Sequence, residues 1–336
     1  MSEETHDRML VTGATGFLAR HLLPLLPRGL ALVRTEAAWA SLQTPPATTT
    51  PVIGTLGNVA DWSIQVHGVG AIVHLAALVR HSRREAEAVY RTNVDGTLAM
   101  VRLAAASKAR LLFVSTSGTV GCFATPDQMA DEDSPYCQSV VRDWPYYRSK
   151  MQAEIMAREL AARLGVELII VRLPVLIGPG DHRGRSTALL RRIAQGQQRF
   201  VTNGGIAFAD VRDVAQGIAG ILAMPTPRPI YHLAGTSCRL TDFCRLCADL
   251  AGVRPPRWRL PSWVVVSLAR LASNASGFAK APWLPDPVVA EMAARHWGFT
   301  SRWSHEVGYA ARPVCETLAD TIAWVRAENA GGRHGA

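Results

Sequence analysis

Residues 12–19 read TGATGFLA, set between the apolar run MLV and the amphipathic stretch RHLLPLL. Gly13 and Gly16 leave the turn without side chains, and a strand that enters a helix through such a turn has few folds open to it. The strand has to be buried on both faces, and the turn lies at its carboxyl end. The same rhythm recurs in GLALVR (29–34), a third strand at 51–54, GAIVHLAA (70–77), ARLLFVSTSGTV (109–120) and VELIIVRLP (166–174). Helical patterns fill the intervals, notably 85–108 and a helix predicted from Pro145, which suits a first turn, to about Gly165. Strands alternating with helices place the chain in the α/β class, as a doubly wound parallel sheet.

Beyond Pro174 the rhythm loosens. IGPGDHRGRS (177–186) is a loop, STALLRRIAQGQQ a helix, FADVRDVAQGIAGILAM (208–224) a strand becoming a helix, and PIYHLAG (229–235) a returning strand. Helical stretches follow near 262–273, 286–296 and 314–328. The division read from this is a core at 1–174, rejoined by 206–235, with a smaller mixed lobe from 175–205 and 236–330 over the carboxyl edge of the sheet. Residues 331–336 read as a frayed tail.

Side-chain-free residues in the first turn let a backbone approach a pyrophosphate, while the helix start offers N–H groups and the positive end of its dipole. A dinucleotide is therefore expected against Gly13, Ala14, Thr15, Gly16, Phe17 and Leu18, with Ala19 in the third small position. Arg34 ends the second strand, where a guanidinium suits the 2′-phosphate of NADP; Glu36 could instead serve the ribose of NAD. NADP is favoured over NAD on this ground.

WPYYRSK (144–150) sets two tyrosines before one lysine. On a helix, Tyr146 and Tyr147 lie about 40° and 60° to either side of Lys150, so geometry admits either as a working phenol. A phenol with an ordinary pKa near 10 needs help worth roughly 4 kcal/mol to exchange its proton near neutrality, and an ammonium supplies part of it.

The motifs TGATGFLA, VHLAA (73–77), NVDGT (93–97), VSTSGTVG (114–121), YYRSK (146–150), RLPVLIGPGD (172–181) and DVRDVA (210–215) together resemble the extended short-chain dehydrogenase/reductases, that is, the NAD-dependent epimerase/dehydratase family, over nearly the whole chain. The dihydroflavonol-reductase and 3β-hydroxysteroid-dehydrogenase-like branch looks closest. The resemblance implies a Rossmann fold and a catalytic set of Ser117, Tyr146 and Lys150, its Tyr-x-x-x-Lys spacing selecting Tyr146. It also implies that Asn93 supports the lysine, that His74, Leu75, Ala76, Ala77, Pro174 and Val175 border the cofactor, and that the protein is a homodimer.

The activity expected is interconversion of a secondary alcohol and a ketone on a hydrophobic or polycyclic small molecule. Trp258, Trp263 and Trp283 read as an aromatic closing lobe, and Gly121, where sugar-nucleotide epimerases often carry tyrosine, as room for a bulky apolar substrate. A sugar-nucleotide epimerase or dehydratase with retained NAD is the rival; a non-catalytic nucleotide sensor is a second. No metal is expected: Cys244 and Cys247 sit in a helical pattern, without a second ligand pair. The net charge of +9 is spread along the chain without stacking aromatics, so no nucleic acid is expected. Membrane contact near 257–272 is the lesser reading beside a plain lobe helix. The first ten residues show acids and no apolar run, so no signal peptide is read and the cytoplasm is the expected compartment.

Overall fold

The computed structural model describes residues 8–42, 47–274 and 285–331. Chain order begins β1 (Arg8–Thr12), α1 (Phe17–Leu22), β2 (Arg28–Val33), α2 (Glu36–Ala40), β3 (Thr49–Ile53), α3 (Val59–Trp62), β4 (Ala71–His74), α4 (Ala86–Tyr90), α5 (Gly96–Ser107) and β5 (Arg110–Thr116). It continues through β6 (Cys122–Phe123), α6 (Gln138–Val141), α7 (Pro145–Leu164), β7 (Leu168–Leu173), β8 (Val175–Ile177), α8 (Ala188–Ala194), β9 (Phe200–Val201), β10 (Gly205–Asp210), α9 (Val211–Ala223) and β11 (Ile230–His232). Then follow β12 (Thr236–Arg239), α10 (Leu240–Leu250), β13 (Trp258–Arg259), α11 (Ser262–Asn274), α12 (Pro287–Met292), β14 (His296–Trp297) and α13 (Val314–Gly331).

Seven strands form one parallel sheet in the order β11-β7-β5-β4-β1-β2-β3. Alternation along the strands feeds two cores. Leu10, Ile72 and Leu111 join Met100 and Val101 of α5 and Ala157 and Ala161 of α7 on one face. Val11, Val73 and Leu112 join Leu18 of α1 and Val214 and Ile218 of α9 on the other. Strand order reverses between β1 and β4, and the crevice at that switch, outside the carboxyl ends of the strands, is where open α/β sheets bind ligands.

The lobe is built on a second sheet, β12-β10-β8, in which β10 runs antiparallel to β12 and parallel to β8. The 206–210 strand pairs within this second sheet, and α9, from Val211, packs on α1. Phe208 packs in one core with Phe243, Cys244, Cys247 and Leu318. Cys244 and Cys247 thus pack, and burial raises both thiols above their ordinary range. Beyond Gly331, the tail expected to fray lies outside the described residues.

Candidate active site

Helix α7 starts at Pro145 and stops at Gly165, whose φ of +68° is a left-handed cap. Between them Tyr146, Lys150 and Glu154 recur every four residues, one stripe of the helix. Lys150 is buried; its Nζ donates to the carbonyl of Val114 at 2.6 Å and lies 4.2 Å from the centre of the Phe113 ring. Burial lowers its pKa to about 7, with the charge of Glu154 pulling the other way. Tyr146 is half-buried, and burial pushes its phenol up to about 12. Tyr147 is more deeply buried, and burial raises its phenol further. Strand β5 ends at Thr116, and Ser117 opens the helical turn Ser117–Thr119 that follows it.

Asn93 lies in a π-helical turn, Arg91–Asp95, between α4 and α5, an insertion of the kind that often marks functional segments. Its Nδ2 donates to Ser149 Oγ at 2.9 Å and to the Leu78 carbonyl at 3.2 Å, and its Oδ1 accepts the Leu78 N–H at 2.8 Å. Ser149 in turn donates to the Tyr146 carbonyl at 2.7 Å. Asn93 therefore clamps the loop after β4 onto the first turn of α7 and does not itself line the cavity.

A cavity of about 750 Å³ runs from the glycine turn to α7. It is lined by Gly13, Thr15, Gly16, Phe17, Leu18, Leu75, Ala77, Ser117, Tyr146, Lys150, Pro174 and Val175, which brings together most of the residues singled out from the sequence. Gly13, at φ +71°, has no room for a side chain, since a β-carbon there would lie 2.8 Å from the Ala76 nitrogen. Besides Asn93, the residues left outside are Ala14, Ala76, His74 and Arg34. Ala14 is buried, and the Ala76 N–H donates to Thr12 Oγ1 at 3.2 Å. His74 is buried in the wall, its ring nitrogens bonded to Thr12 at 2.7 Å and Thr97 at 3.2 Å, and burial lowers its pKa to about 3. It holds the strand end and stays neutral. Arg34 is exposed at the end of β2, without an ion pair or hydrogen bond among the described residues.

Several residues were not picked out from the sequence. Glu154 is buried against Arg172 of β7 at 2.7 Å and accepts hydrogen bonds from Ser115, Thr119 (3.1 Å) and Tyr136 (3.0 Å). The available signal was its spacing: an acid four residues beyond a lysine on one helix face. His81 lines the cavity, its ring centre 5.9 Å from that of Tyr146 and 6.1 Å from that of Tyr147, and its enclosed Nδ1 has no hydrogen-bond partner among the described residues. Burial lowers its pKa while the Asp286 carboxylate raises it. Arg20 enters the cavity beside Ser41, and Arg183 donates to Thr15 Oγ1 at 3.1 Å, so guanidinium groups border the glycine turn.

Two expectations about the substrate end are corrected. Trp258 and Trp263 do not line the cavity but are exposed, and Trp283 lies outside the described residues. The aromatic wall is instead Tyr147 and Trp297, with ring centres 5.2 Å apart, joined by Met292 and Val289. Nor does Gly121 open space for a ligand, since a β-carbon there would lie 2.7 Å from the Gly298 carbonyl. Its missing side chain lets the loop after β5 close against the segment that holds Trp297, where β6 pairs with β14.

Residues 9–234 match the model of the NAD dependent epimerase/dehydratase family. A Synechocystis protein named as a candidate dihydroflavonol 4-reductase is 30% identical over 95% of this chain and 94% of its own length. The 4-hydroxy-2-methyl-3-oxo-4-farnesyl-3,4-dihydroquinoline-1-oxide ketoreductase of Stigmatella aurantiaca is 29% identical over 90% of this chain and 94% of its own. Among solved structures, the crystal structure of gox2253 superposes with a TM-score of 0.80 at 27% identity, covering 96% of this chain and 99% of that one.

Proposed function

The chain belongs to the NAD-dependent epimerase/dehydratase family and is an NAD(P)-dependent enzyme of the extended short-chain dehydrogenase/reductase type, and from that premise we propose that it reduces a ketone on a hydrophobic, ring-bearing small molecule with NADPH. The observation that carries this is a single cavity holding Ser117, Tyr146 and Lys150 at one end of the glycine turn's crevice, walled by Tyr147, Trp297, Met292 and Val289.

The residues present fit a nicotinamide dinucleotide. Gly13 and Gly16 line the cavity where the turn packs too closely on the Ala76 backbone and on itself to admit a β-carbon, and α1 starts directly after it. Once bound, such a cofactor supplies or accepts a hydride. Arg20 and Arg34 flank the segment after β2 and suit a 2′-phosphate, which is the basis for NADPH over NADH.

The chain's own part is proton handling and orientation. Its phenol raised by burial, Tyr146 carries its proton at neutral pH and is ready to give it to a carbonyl oxygen as the alcohol forms. The Ser117 hydroxyl donates a hydrogen bond to that same oxygen, and Lys150, as an ammonium, stabilises the phenolate left behind. His81 offers an unpaired ring nitrogen beside both tyrosines, which suits a substrate bearing a second oxygen close to its carbonyl. The Stigmatella relative is named for such a hydroxy-oxo, farnesylated substrate.

The discriminating experiment follows 4-deuterated NADPH with a panel of hydrophobic hydroxy-ketones. Stoichiometric loss of NADPH with deuterium at the new carbinol carbon supports the reading. Sugar-nucleotide turnover with tightly retained NAD and no net cofactor consumption sinks it in favour of epimerisation or dehydration.

A further inference from the structure

Helix α11 is apolar on both sides. Val265 and Ala269 face inward, where they pack with Ala290 of α12, Phe200 and Leu260. On the opposite arc, spanning about 140° at 100° per residue, stand Trp263 (72% exposed), Leu271 (68%) and Leu268 (43%), with exposed Ser267 and half-buried Val264 between them. Just before the helix, Trp258 is 58% exposed. A surface helix ordinarily turns polar residues outward, and contiguous apolar patches of this kind mark contact sites. Exposed Arg254, Arg257 and Arg259 precede it and form no ion pair among the described residues; Arg257 lies over the Trp258 ring, 5.2 Å from its centre.

We propose that the outer face of α11, with Trp258 and the arginines before it, docks on an anionic lipid bilayer. Tryptophan and leucine suit the boundary between headgroups and acyl chains, and arginines suit anionic headgroups. Among the described residues no helix is long and apolar enough to cross a membrane, so this contact lies on the surface. Its place in the fold gives it a purpose. The inner side of α11 packs on α12, and α12 carries Val289 and Met292 into the cavity wall. A bilayer held there lies one helix away from the substrate end, which suits delivery of a lipid-like ketone. That last step rests on the reading of the substrate as hydrophobic.

The test is co-sedimentation of the full chain with phosphatidylcholine vesicles, with and without phosphatidylglycerol, for wild type and for Trp263→Ser/Leu271→Ser. Turnover of a water-soluble ketone without vesicles is measured separately, so that failure of docking and failure of the reductase reading are told apart. Each arginine near an anionic surface contributes about fivefold to partitioning, so binding to anionic vesicles should exceed that to neutral ones by at least tenfold and weaken with salt. The double variant should lose it and keep its soluble turnover. No binding to anionic vesicles, or binding that survives the double substitution, overturns the proposal. So does a dimer that the double variant converts to monomer while no form binds vesicles, which would assign the face to a second copy of the chain.

Discussion

Lys150 Nζ is held 2.6 Å from the carbonyl oxygen of Val114 on β5, three residues ahead of Ser117, which opens the turn after that strand. With the Ser115–Glu154 bond, this contact ties α7 to β5, and Tyr146 and Ser117 line a common cavity. It also buries a cation, and much of the site's behaviour follows from that.

Because Lys150 titrates near 7 when folded and in the usual lysine range, 10.5, when unfolded, the unfolded chain binds more protons between those values. Its contribution therefore increases stability as pH rises from about 7 toward 10.5. Lys150→Met removes it. Denaturation midpoints taken at steps of pH should show the wild type gaining on the variant across this window; parallel curves would contradict a buried, depressed lysine.

Glu154 and Arg172 are both nearly inaccessible, with side-chain exposures of 0% and 3%. Glu154→Gln leaves the guanidinium buried without its counter-charge, and loss of one partner of such a pair costs about 3–5 kcal/mol. The check is urea unfolding. A change under about 1 kcal/mol would mean that solvent reaches the pair.

Arg34, at the end of β2, forms no ion pair or hydrogen bond among the described residues. If it binds a 2′-phosphate, Arg34→Ser should weaken NADPH by about 10- to 100-fold, the worth of a charged hydrogen bond, and leave NADH nearly unchanged. Fluorescence titration with both nucleotides reads this directly. Equal losses for the two would move the role to Arg20.

For His81, replacement by phenylalanine keeps the ring stack and removes both nitrogens. The KM for a ketone with a neighbouring oxygen should rise about 5- to 30-fold, one lost hydrogen bond, while a ketone lacking that oxygen is unaffected. Folding stability should not fall, since the Nδ1 it removes has no hydrogen-bond partner among the described residues.

The doubly wound sheet was legible because each strand carries its own apolar run and each helix its own period: Pro145 and Gly165 mark the ends of α7 in the sequence as they do in space. The glycine turn was legible for the same reason, being local, whereas helical spacing alone left Tyr146 and Tyr147 both open as partners of Lys150 and only the family resemblance chose between them. What could not be read was what depends on distant contacts. Phe208 packs with Phe243 and Leu318, residues far along the chain. Trp297 reached the cavity because β14 pairs with β6, whereas Trp258 and Trp263, equally conspicuous in the sequence, face outward. The partners of His74 were equally out of reach of the sequence, since Thr12 and Thr97 lie 62 and 23 residues away.

The measurement closest to the central claim is the turnover number for NADPH-dependent ketone reduction by Tyr146→Phe, with Tyr147→Phe beside it. Loss of a positioned proton donor lowers turnover by about 10²- to 10⁴-fold, and this is the fall expected for Tyr146→Phe, with Tyr147→Phe changing mainly KM. Unchanged turnover in Tyr146→Phe would contradict the account, and a fall confined to Tyr147→Phe would transfer the proton donor to its neighbour.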